Sequence, residues 1–237
     1  MAFIGSLAGV IVFSVLFRIP LKRFPSLFYV IALLVSLFYL FAYYIGISPS
    51  LNSYFNIVMQ KGTLAMSFLM VVMFMGVFRD DSQIRRYLMP IRGELSIIGS
   101  LLAIVHVVRR LTNYLVIVFY GAPAEVHIIA AFWISLIVFA LLIILTVTSF
   151  NIIGKRMKAI MWKRVQRLAY PFMFFTYLHI LLFLIPPALL GGTTALVSAI
   201  TYTVVFFAYA ALRIRAHLIR NRARQESFNL EPAVLEA

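Results

Sequence analysis

Residues 162–187 read WKRVQRLAYPFMFFTYLHILLFLIPP. A basic collar, Lys163, Arg164 and Arg167, gives way to an apolar run. The run has the ~20 residues a helix needs to cross ~30 Å of hydrocarbon. Near its far end stands one imidazole, His179, where lipid makes an ionisable group costly and so a functional hypothesis in itself. Gln166 stands thirteen residues before it.

The same composition extends along the chain. Of 237 residues, 64% are hydrophobic and 12% charged, with a mean hydropathy of +1.03. A soluble domain of this size needs far more polar surface over its core. The reading is a polytopic, all-α transmembrane bundle, because hydrocarbon forces each span to satisfy its own backbone. The absence of cysteine excludes disulfides, thiolate metal sites, iron–sulfur ligation and c-type haem attachment. Residues 1–17 show neither a basic leading region nor a small-residue cleavage site, so they are expected to be a retained helix rather than a signal peptide.

A net charge of +14 first suggests nucleic acid, but its distribution argues against that. Four segments, 18–23, 79–92, 155–167 and 213–224, hold 18 of the 21 Lys and Arg residues. Basic residues in alternating loops are the positive-inside signature. These segments are expected on the cytoplasmic side of the cell membrane, against anionic headgroups. Seven spans are expected near 2–17, 26–47, 54–78, 94–120, 127–149, 166–189 and 193–213, with the N-terminus outside and the C-terminus inside. The first is the shortest. The outer turns ISPSLNS, YGAPAE and LLGGTT are minimal. The expected division is an N-terminal helix and basic loop (1–24), a membrane domain (25–213) and a basic, then disordered, tail (214–237).

Among the four histidines, His217 lies in the basic tail and His127 in an outer turn beside Glu125. His106 and His179 lie inside spans. Each is twelve residues from an inner boundary, Glu94 and Arg167 respectively, or ~18 Å at 1.5 Å per residue. Two helices running the same way thus carry imidazoles at one depth. Zinc would want four ligands, and no carboxylate or thiolate accompanies the pair. A haem iron needs only two axial ligands from the protein. The other reading is a pair of core histidines bonded to neighbouring hydroxyls or carbonyls. Arg109 and Arg110 follow His106 by one helical turn. They suit carboxylates such as haem propionates, outer headgroups reached by snorkelling, or an acidic partner.

The motif residues carry a resemblance. IRGELSIIGSLLAIVH (91–106), with Arg92, Leu95 and His106, resembles a stretch of the ferric-reductase-like transmembrane domain family. It is most similar to the haem-binding membrane subunit of the methionine sulfoxide reductase system (MsrQ/YedZ type). LTVTSFNIIGKRMKAIMWKRVQRLAYPFMFFTYLH (145–179) continues the likeness through Thr148, Ser149, Trp162, Leu168, Tyr170 and His179. KGTLAMSFLMVVMF (61–74) resembles the preceding helix. The similarity spans about residues 55–210.

The resemblance implies a six-helix haem-binding core plus one added N-terminal helix. It makes His106 and His179 metal ligands, with Arg109 and Arg110 beside the cofactor. The family carries a second histidine where this chain has Gln166, and an amide is a poor haem ligand. One haem b is therefore implied, with two only if another ligand such as His127 takes part. Gly99 is a candidate for close haem approach, and Pro171 for a bend in the sixth span. Without a nucleotide fingerprint or bound flavin, the chain is expected to be an electron-transfer component rather than a complete enzyme. A membrane quinol or cytoplasmic flavoprotein would donate, and an outer-face reductase or small oxidant would accept. The alternatives are a haem-free scaffold or assembly subunit and, further off, a small transporter.

Overall fold

The computed structural model describes residues 2–45, 56–121, 123 and 125–235. Among these residues there is no strand. The helices are α1 (Ala2–Leu16), α2 (Arg18–Arg23), α3 (Pro25–Ile45), α4 (Thr63–Met75), α5 (Gln83–Leu88), α6 (Arg92–Tyr120), α7 (Val126–Ser149), α8 (Asn151–Gly154), α9 (Ala159–Gln166), α10 (Ala169–Leu189) and α11 (Thr193–Leu235). A π-helical turn, Asn56–Gln60, precedes α4, and a 3-10 turn, Met89–Ile91, leads into α6.

Among the described residues, five segments are long and apolar enough to cross a bilayer: Pro25–Ala42, Gln83–Tyr120, Val126–Ser149, Ala159–Leu189 and Thr193–Arg222. Their outward faces expose large apolar side chains, among them Leu34, Phe38, Trp133, Ile200 and Phe207. Such a surface suits lipid and would be an aggregation liability in water. The chain is a multi-pass membrane protein.

The expected seven spans are changed at two places. Helix α1 has 15 residues and α4 has 13, or about 22 and 20 Å of helix, short of the ~30 Å of hydrocarbon. Segment 54–78 is broken at Gly62, whose φ of +66° is left-handed backbone that an L side chain rarely adopts. Apolar pattern alone does not reveal that break. Helix α4 is buried nearly all round, Leu64 and Phe74 excepted, as expected of an all-round apolar helix enclosed by others.

Helix α4 is the wall shared by two packed clusters. On one side Phe68 and Val72 meet Val10, Tyr39, Leu95 and Leu102. On the other, Met66, Met70 and Met73 meet Leu142, Phe172, Met173 and Phe206. Lipid tails are as apolar as these side chains, so close packing rather than the hydrophobic effect holds such helices together. Gly99 shows this: a Cβ there would lie 2.9 Å from the Phe68 Cβ and 3.3 Å from the Ala65 carbonyl oxygen. It serves the approach of α6 to α4, not the approach of a cofactor.

Helix α1 belongs to the bundle rather than standing beside it. It packs along α4, and the Phe3 ring stacks on Tyr202 at 4.3 Å. The expected sixth span is two helices, α9 and α10, joined through Arg167 and Leu168. Pro171 falls in the first turn of α10, where its missing N–H has no intrahelical partner to lose. It does not bend the helix; Pro186 and Pro187 lie at its far end. Helix α11 runs on to Leu235, where a disordered tail was expected from Gln225. Once a helix is nucleated, each added residue gains a hydrogen bond. The expected turn at 47–53 lies outside the described residues. At the other two turns, Gly121 (φ +62°) and Gly191 (φ +88°) take left-handed backbone.

Candidate functional site

Helices α6 and α10 bring His106 and His179 together. Their ring centres are 6.4 Å apart, with planes at 87°. Helix α6 packs chiefly on α4, α3 and α7, and α10 on α7 and α11. The two imidazoles therefore face each other between helices that are not principal packing partners.

Each ring is positioned by a different device. Behind His106 stands Gly62, where a Cβ would lie 3.4 Å from the imidazole Cγ. The left-handed glycine that ends the π-helical turn thus also forms a wall of the site. His179 packs edge-on against Phe183, one turn along α10, at 5.1 Å and 70°. Its Nδ1 lies 3.1 Å from the Ser135 Oγ of α7.

Ser135 decides the histidine tautomer. A serine hydroxyl has one proton to donate, and Ser135 gives it to the Ala131 carbonyl at 2.6 Å. Towards His179 it can only accept, so the imidazole proton sits on Nδ1. Nε2 then carries the lone pair. A metal-ligating histidine is held in this way, with its other ring N–H donated to a fixed acceptor that sets tautomer and orientation.

The arginines that follow His106 separate. Arg109 donates from Nη1 to the Tyr39 hydroxyl at 2.6 Å, and its guanidinium stacks over the Tyr39 ring at 4.2 Å. Tyr39 passes its own proton to Asn56 Oδ1, also at 2.6 Å. This chain ties α6 to α3 and to the turn before α4. Arg110 lies within electrostatic range of Tyr39, Tyr114 and His179. The Tyr114 hydroxyl is buried near Ser135.

The remaining histidines lie apart. His127 Nδ1 pairs with Glu125 at 3.1 Å, and His217 Nε2 lies 3.1 Å from Asn221 on the basic stretch of α11. Gln166 donates from Nε2 to Thr148 Oγ1 at 3.1 Å, and Trp162 donates from Nε1 to the Thr148 carbonyl, also at 3.1 Å. The amide thus joins α9 to the end of α7. No group of three or more His, Cys, Asp or Glu placed to share a metal ion occurs among the described residues.

Sequence reasoning missed Tyr39, Asn56, Gly62 and Ser135. Ser135 left one signal, a hydroxyl in the apolar α7. Tyr39 and Asn56 left none, because their roles depend on which helices become neighbours.

No family model matches the chain, and no solved structure matches it. Over 137 residues it is 39% identical to an uncharacterized protein of Treponema pallidum (strain Nichols). That stretch is 57% of this chain and 38% of the Treponema protein, so the chain spans well under half the length of this relative. The ferric-reductase likeness thus rests on the motif residues themselves.

Proposed function

We propose that the chain is an integral-membrane haem b electron-transfer subunit in which His106 and His179 would hold one haem. The observation that carries the reading is the paired histidines with His179 Nδ1 committed to Ser135. The rings stand 6.4 Å apart. When bound, the group supplies reversible one-electron transfer in an apolar setting.

The chain's own residues orient and tune that site. Ser135 holds the His179 ring, and Gly62 lets His106 lie against backbone. Arg110 is the cation assigned to the propionates; Arg109, held by Tyr39, fixes α6 against α3. With the basic loops cytoplasmic by the positive-inside rule, the pair lies nearer the outer face. Electrons would enter from a membrane quinol or a cytoplasmic flavoprotein and leave to an outer-face reductase or a small oxidant. Gln166 would mark a site where a second ligand is lacking.

The test is a dithionite-reduced minus oxidised spectrum of the purified protein, with haem quantified per chain. One low-spin haem b, lost in His106→Ala and in His179→Ala, is the expected result. No haem in protein from haem-supplied cells would overturn the reading and leave the haem-free scaffold in its place.

A further inference from the structure

The end of the bundle opposite the histidine pair gathers cations that the proposed function does not use. Arg213 on α11 donates from Nε and Nη2 to the Tyr170 hydroxyl, at 2.9 and 2.5 Å, and from Nη1 to the Gly76 carbonyl. Arg220, two turns on, donates to the Phe78 carbonyl at 2.9 Å and lies 3.4 Å from Asp80. Arg85 on α5 uses the same two acceptors, the Phe78 carbonyl at 3.2 Å and Asp80 at 2.9 Å. Three guanidinium groups from two helices thus converge on the loop after α4, held by carbonyls and one carboxylate.

Arg92 differs from these three. It opens α6, is half-buried, and lies within electrostatic range of Arg213 and Arg85. It has no hydrogen bond and no ion pair among the described residues. Glu94, two residues on, bears on Tyr29 instead. Four cations and one acid leave a local excess of three positive charges, with one planar donor fork uncommitted. A half-buried guanidinium within range of two others is better satisfied when an anion joins it. The fork matches phosphate geometry, and the cluster sits at the basic end of the spans, where headgroups lie.

We propose that Arg92, with Arg213 and Arg85 behind it, binds the phosphate group of an anionic lipid between the loop after α4, α6 and α11. Arg92 recognises the phosphate, while the other two are fixed by their own contacts and supply field. The proposal does not depend on haem at the other end.

Native mass spectra of the full chain in a neutral detergent test it, with phosphatidylglycerol, phosphatidylcholine or inorganic phosphate added separately. A retained phosphatidylglycerol adduct, weakened about tenfold in Arg92→Gln and unchanged in Arg86→Gln, is the expected result. Arg86 lies on the exposed side of α5 and serves as a charge control. Should Arg92→Gln fail to fold, Arg92→Lys keeps the charge without the fork and should lose about threefold. Retention of inorganic phosphate but not lipid would assign the site to a soluble phosphate ligand and overturn the lipid source. Equal retention of phosphatidylcholine, or no effect of either Arg92 substitution, would overturn the site itself.

Discussion

Ser135→Ala isolates the tautomer argument. The hydroxyl donates to Ala131 at 2.6 Å and accepts from His179 Nδ1 at 3.1 Å, so the substitution removes the fixed acceptor and leaves both rings in place. Loss of such an outer partner typically costs 10–100-fold in affinity for the bound metal group. The low end is expected, because the Ala131 carbonyl already lies within reach of the His179 ring. Tenfold corresponds to about 1.4 kcal/mol. The assay titrates haem into cofactor-free protein and follows the low-spin spectrum, comparing wild type, Ser135→Ala and Ser135→Thr. Ser135→Thr keeps the hydroxyl and should stay near wild type. Wild-type affinity in Ser135→Ala would refute the claim that Ser135 sets the tautomer. Failure of the wild type to bind haem would remove the proposed function instead.

Four further outcomes follow from particular contacts. His106→Ala should abolish low-spin haem while leaving the circular-dichroism spectrum and elution volume unchanged, because the substitution removes a side chain and no backbone hydrogen bond of α6. Gly99→Ala should lower the thermal midpoint, since its Cβ would meet Phe68 at 2.9 Å; overpacking of this kind costs about 1–3 kcal/mol. Tyr39→Phe removes the hydroxyl between Arg109 and Asn56, and a buried partner left unsatisfied costs about 1–3 kcal/mol. Detergent melts should show that loss, with a smaller effect on haem content than His106→Ala. Thr148→Val deprives Gln166 of its acceptor but keeps the carbonyl used by Trp162, so a loss of only about 1 kcal/mol is expected from the melting midpoint.

Residue types and their spacing fixed much of the molecule. Long apolar runs between basic loops leave the backbone no option but helix in hydrocarbon, and five such spans stand where those runs lie. The meeting of His106 and His179 was also legible, because helical rise converts residue counts from a common boundary into a common depth. The extent of α4 was not. Apolar residues on both sides of Gly62 read as one span, and the left-handed glycine that splits it is visible only in three dimensions. Gly99 and Pro171 were assigned functions from their chemistry, yet the glycine serves the α4–α6 approach and the proline a helix start.

The partners of the polar side chains were likewise beyond the sequence. Arg109 and Arg110 are adjacent, but successive residues on a helix point about 100° apart. Arg109 donates to Tyr39, seventy residues earlier in the chain, while Arg110 stays within electrostatic range of Tyr39, Tyr114 and His179. The sequence by itself determined the element type, the apolar character of the long helices and the equal spacing of each imidazole from a charged boundary, because these depend on local composition and helical rise. Tertiary structure alone decided which helices became neighbours. That choice in turn decided that Ser135 would hold His179, that Gly62 would back His106, and that Tyr39 rather than a second open site would take Arg109.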